Sequence, residues 1–185
     1  MVPIHEDYVT CAPPPWVRVT IERLLLSLSS SHLSGLSAIV LTESTKGDIR
    51  KIGGRMRRNR GGVVVGRYHR ATPGDSAWIE VIVDRIVSDV PKQLSWLQCV
   101  RDVAMARVLF HEIGHHLHAT LGSAGRGGEL SADDWRRRLS AIHFKRYWYL
   151  RPALPLITRF AQLAGRRERD RRVHSQGPSS GFPEK

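Results

Sequence analysis

The chain has 185 residues, 41% hydrophobic and 25% charged, proportions ordinary for a soluble protein, with length enough for one domain and a sizeable core. Lys and Arg number 29 against 17 Asp and Glu, a formal charge of +12 that admits nucleic acid, an anionic membrane surface or an acidic protein as partner. Only two cysteines occur, Cys11 and Cys99, far apart and without C-x-x-C pairing, which argues against a disulfide scaffold and a thiolate zinc site.

The first ten residues, MVPIHEDYVT, carry Glu6 and Asp7 and no basic start before an apolar run. No signal peptide is therefore expected, and a reducing cytoplasm is the default location. Residues 1–13 show no period and read as a loosely held arm. After Pro14 and Pro15, residues 16–28 place Trp16, Val19, Ile21, Leu24, Leu25 and Leu28 on a wide apolar helical face. The leucine run within it is far too short to span a membrane, and Pro152 and Pro155 interrupt the last apolar stretch, so no membrane span is expected.

Residues 29–34 read as a loop and 35–41 (GLSAIVL) as a short buried strand. The polar, Gly-rich and basic stretch 42–62 predicts a mobile loop, with a short strand near residues 49–52 as an option. Two further strands are predicted, at 62–69 (GVVVGRYH) and 77–87 (AWIEVIVDRIV). The turn-forming residues 71–75 between them suggest that the two lie side by side. In the last strand Ile79, Val81 and Val83 alternate with Trp78, Glu80, Ile82 and Asp84, which predicts one dry and one partly wet face.

A long helix follows. Pro91 suits its first turn, Leu94, Leu97, Val100, Ala104, Val108, Ile113 and Leu117 recur at helical spacing, and Gly122 closes the run. At its centre stands His111-Glu112-Ile113-Gly114-His115, of the form H-E-x-x-H. Residues four apart lie on one helix face, roughly 6 Å apart along the axis, so two imidazoles can grip one zinc ion from the same side. Glu112 is offset around the helix and can reach a metal-bound water without taking a metal position. The plainer alternative is a polar, histidine-rich helix end.

A catalytic zinc usually takes three protein ligands. After the glycine-rich stretch SAGRGG, a second long helix over 129–149 carries Ala132, Trp135, Leu139 and Ile142 as its apolar stripe. Its first turn offers Glu129 as the third ligand. Asp133, four residues on, is placed to accept a hydrogen bond from the free ring nitrogen of a zinc-bound histidine. Without the pentad, both acids would read as favourable charges at a helix N-terminus. Residues 156–163 suggest a final short helix. From Arg166 onward (RRERDRRVHSQGPSSGFPEK) there is almost nothing to bury. The domain is thus expected to cover 1–165, with 166–185 a disordered basic tail.

With these residues in place, the sequence resembles the gluzincin group of zinc metalloproteases, which carry H-E-x-x-H followed by E-x-x-x-D. His111, Glu112, His115, Glu129 and Asp133 stand at the matching positions, and the form E-x-x-A-D looks especially like small bacterial peptidases of the minimal type. The resemblance implies an α+β, zincin-like fold in which a small sheet packs on an active-site helix beside a second, ligand-bearing helix. It also implies Zn²⁺ held by His111, His115 and Glu129, Glu112 as general base, and a protein or peptide substrate presented by an edge strand. One departure is the compact spacing, with thirteen residues between His115 and Glu129.

The other histidines carry less. His116 and His118 read as solvent-facing or supporting residues. His143, with Tyr147 or Tyr149, is a candidate oxyanion donor, although a Tyr-Trp-Tyr cluster more commonly belongs to a core. The alternative of a different class is a non-catalytic zinc-binding module whose basic surface and tail hold nucleic acid or a protein partner. No recognisable nucleic-acid module accompanies the charge. Glu112 separates the two, because a purely structural zinc site has no need of a base.

Overall fold

The structure is a computed structural model that describes residues 2–10, 12–44, 64–121 and 128–145, all within one compact unit, Met1–Arg146. Several expected features lie outside the described residues: the basic loop expected over 42–62, from residue 45 on, with its optional strand, the glycine-rich connection 122–127, the final short helix 156–163 and the basic tail with its boundary at 165.

The unit is α+β. A four-stranded sheet has the order β1 (Ile4–Asp7), β2 (Leu36–Thr42), β4 (Ala77–Ile82), β3 (Gly66–His69). The first three strands are parallel, and β3 runs antiparallel to β4 at the edge. Helix α1 (Trp16–Leu26) connects β1 to β2, as a parallel pair requires. Helix α2 (Val83–Asp89) follows β4, and the long α3 (Gln98–Thr120) and α4 (Gly128–Phe144) pack against each other.

The core forms where one sheet face meets α1 and α3. Ile39 and Leu41 of β2 and Ile79 and Val81 of β4 are buried beneath Ile21 and Leu24 of α1 and Leu109, Phe110 and Ile113 of α3. The alternation in β4 is as the sequence predicts from 77 to 81, with Ala77, Ile79 and Val81 buried and Trp78 and Glu80 half-buried. Burying a side chain of this kind contributes about 1.5–3 kcal/mol, which sets the orientation of α3 on the sheet.

Four expectations need correction. The N-terminal segment is no loose arm: Ile4–Asp7 pairs with Ile39 to Thr42, and Val2 is buried. Strand character ends at Ile82, and the apolar run continues as α2, because Val83 and Ile86, three apart, bury one helical side while Asp84 sits in the first turn. Pro91 does not open the long helix. Val90 and Pro91 are extended, as a residue before proline tends to be, a short 3₁₀ turn spans Lys92–Leu94, and α3 starts only at Gln98. In α4, Ala132 and Leu139 are fully buried, but the next inward position is taken by His143, leaving Ile142 exposed.

Candidate metal centre

The site lies where α3 and α4 run antiparallel. His115 faces Glu129, one turn back His111 faces Glu129 and Asp133, and further along Asp102 faces His143. Close approach of the two helices depends on Gly114 and Ala132. A Cβ on Gly114 would stand 2.6 Å from the Ala132 carbonyl oxygen and 2.8 Å from its Cα, backbone atoms that cannot rotate away. Glycine inside a helix costs up to about 1 kcal/mol relative to alanine, so its presence between the two histidines has a packing cause.

That approach brings three ligand atoms together. His111 Nε2 and His115 Nε2 are 3.2 Å apart, Glu129 Oε2 is 3.4 Å from His111 Nε2, and Glu129 Oε1 is 3.6 Å from His115 Nε2. His111, His115 and Glu129 form the one such group of potential metal ligands among the described residues. Bonds of about 2.0–2.1 Å to a tetrahedral zinc ion separate neighbouring ligand atoms by roughly 3.3 Å, so the donor set fits zinc in both chemistry and spacing. The His111 and His115 side chains are 24% and 21% exposed and that of Glu129 is 82% exposed, which leaves the cluster open to solvent.

Asp133 lies behind His111. Its Oδ1 lies 3.2 Å from His111 Nδ1, so the ring hydrogen is directed there and the lone pair of Nε2 faces the cluster. Arg136 donates from Nε to the same oxygen at 3.1 Å, and this bond is the main reason the Asp133 carboxyl is held below its usual range. Burial, then the neighbouring His111, pushes the His115 ring towards its neutral, ligand-competent form, while Glu129 opposes that shift. Asp134 belongs elsewhere, paired with Arg138 at 2.7 Å.

Glu112 sits beneath the cluster, buried, with its pKa pushed up to about 7, first by burial and then by the charge of Glu129; a backbone N–H of Tyr68 works in the opposite sense. Edge strand β3 supplies that N–H. Val65 accepts from Ile82 N–H at 3.0 Å, and the alternation of an antiparallel pair then turns the backbone groups of Gly66 and Tyr68 away from β4. Gly66 allows the strand to come this close: a Cβ there would stand 2.7 Å from Val108 and 3.0 Å from the Glu112 carboxylate.

The other candidates fall away from the site. His116 is buried, with Nε2 2.9 Å from the Ser34 carbonyl and Nδ1 3.4 Å from the Tyr68 hydroxyl, so it ties α3 to the sheet edge and is not solvent-facing. His143 is also buried, with Nδ1 2.7 Å from Ser27 Oγ and Nε2 3.5 Å from Asp102 Oδ2, which removes it as an oxyanion donor. Tyr147 and Tyr149 lie outside the described residues. The sequence marks Ala132 as part of an apolar stripe but does not mark Gly66 and Gly114 as close-packing positions, although a lone glycine inside a helical period is a signal in itself. No helix of the described residues is long and apolar enough to cross a membrane. Neither protein-family models, nor curated proteins, nor solved structures gave a match to this chain.

Proposed function

We propose that this protein is a zinc-dependent hydrolase of the zincin-like, gluzincin type, cleaving peptide bonds. The observation that supports the reading most is the spacing of His111 Nε2, His115 Nε2 and the Glu129 carboxylate, 3.2–3.6 Å apart with Asp133 behind His111. His111, His115 and Glu129 would hold the zinc, which would supply a Lewis acid able to activate a water and polarise a carbonyl. Glu112, one residue after the first ligand, takes the proton from the attacking water and returns it to the leaving amine. Asp133 fixes the His111 ring, and the outward backbone of Gly66 on β3 offers an extended peptide an edge beside Glu112.

Zinc content and cleavage of an unstructured protein such as casein, with and without chelator, test the reading together. About one zinc per chain is expected, with cleavage abolished by chelator and restored by zinc. A zinc-loaded protein that cleaves neither casein nor any member of a broad peptide library would contradict it.

A further inference from the structure

At the candidate metal centre lies a cavity of about 300 Å³ lined by the apolar Val65 and Val108 and by His111 and Glu112. Arg107 and Arg136 both line it. Their placement follows from the antiparallel helices: Arg107 is one turn before His111 on α3, and Arg136 is three residues after Asp133 on α4, so both step the same way from the ligands. The carboxylates of the lining are already engaged. Asp133 accepts from Arg136 Nε and faces His111 Nδ1, while the buried Glu112 takes the Tyr68 N–H. Arg136 commits one nitrogen to Asp133, and the rest of its planar fork carries further N–H groups. Arg107 is exposed.

We infer that this cavity receives a carboxylate of the substrate, held between Arg107 and Arg136, and so directs cleavage to peptides with an anionic group next to the scissile bond. The inference rests on the peptidase reading and adds the substrate class. Guanidinium groups match a carboxylate in shape and charge, and a charge-assisted bond of this kind is roughly twice as strong as a neutral one. A cationic side chain meets like charge in the same place. The carboxylate can be an Asp or Glu side chain or a free C-terminus, which share this chemistry.

The test uses matched blocked peptides carrying Asp or Asn at each position around the scissile bond, and a second pair ending in a free acid or an amide. Cleavage is read as the ratio of kcat/KM within each pair, and binding as the ratio of Kd on zinc-loaded Glu112→Gln protein. Wild type should favour the anionic member by about 10-fold, and Arg107→Gln should bring the ratio towards one. Preference within the Asp/Asn pair points to a side chain, and preference within the acid/amide pair to the C-terminus. Arg18→Gln, distant on α1 and paired with Glu6 and Glu22, controls for overall charge and should leave the ratio unchanged. A wild-type ratio near one, or an equal fall in Arg18→Gln, overturns the inference even where all peptides are cleaved. Tighter Arg107-dependent binding of anionic peptides that are never cleaved would support the cavity and overturn the peptidase reading instead.

Discussion

Helices α3 and α4 carry two histidine–carboxylate clusters, and the pair is instructive because the residue types are alike. At one end His111, His115 and Glu129 converge with side chains 21–82% exposed, and two ring nitrogens face each other with a carboxylate as third neighbour. At the other, Asp102 and His143 have fully buried side chains. There both carboxylate oxygens and both ring nitrogens meet a partner: Asp102 accepts from Arg23 and faces His143, whose other nitrogen meets Ser27. The first cluster leaves lone pairs gathered around a shared, accessible point. The second closes on itself and ties α1, α3 and α4 together. Accessibility and the direction of lone pairs, rather than residue type, separate a site from a brace.

Swapping a deletion between the two clusters breaks or sharpens this contrast. Asp102→Ala leaves the Arg23 guanidinium and His143 without their buried anion, and the loss of one partner of a sealed pair costs about 3–5 kcal/mol. A large fall in the melting temperature of the metal-free protein is expected. His111→Ala should barely move that temperature while abolishing zinc binding, measured by metal analysis. Equal melting temperatures for the two variants would erase the distinction.

The pH dependence of the metal-free protein gives a somewhat smaller effect. Glu112 holds its proton more tightly when folded, at about 7, than at its ordinary value of 4.5. Its contribution is therefore complete below about pH 4.5 and is lost as pH rises through 7, by up to about 3 kcal/mol. Glu112→Gln cannot titrate, so its stability relative to wild type should rise between pH 5 and pH 8 in chemical denaturation. A constant difference across that range would show that burial does not shift this carboxyl.

Smaller still is Gly114→Ala, which forces a methyl into the Ala132 backbone. Overpacking of this kind costs about 1–3 kcal/mol. The helices should separate enough to weaken zinc affinity as well as stability. A variant that keeps both would show that the close approach does not set the ligand spacing.

Much of the candidate site is legible in the sequence because it is local. His111 and His115 share a face by helical period alone, and Glu129 and Asp133 do so on the next helix. What the sequence hides is decided by distant partners. Ile4 to Asp7 is a strand because β2 offers it an edge, not because its own residues favour one. His143 reads as a polar position and Ile142 as the apolar one, yet Asp102 and Ser27, 41 and 116 residues away in sequence, draw the histidine inward. The 83–89 run has β-branched composition but becomes helix, since tertiary burial of Val83 and Ile86 overrides local preference.

The most direct test of the central claim, that this is a centre for zinc chemistry and not only for zinc binding, is hydrolysis by Glu112→Gln assayed alongside its zinc content. The substitution preserves size and removes the ability to take a proton. The account predicts full zinc occupancy with hydrolysis reduced by at least about 10²-fold, the low end of a general-base contribution. Undiminished hydrolysis with zinc retained would remove Glu112 from the reaction, and loss of zinc would place it among the groups that hold the metal; either result contradicts the mechanism.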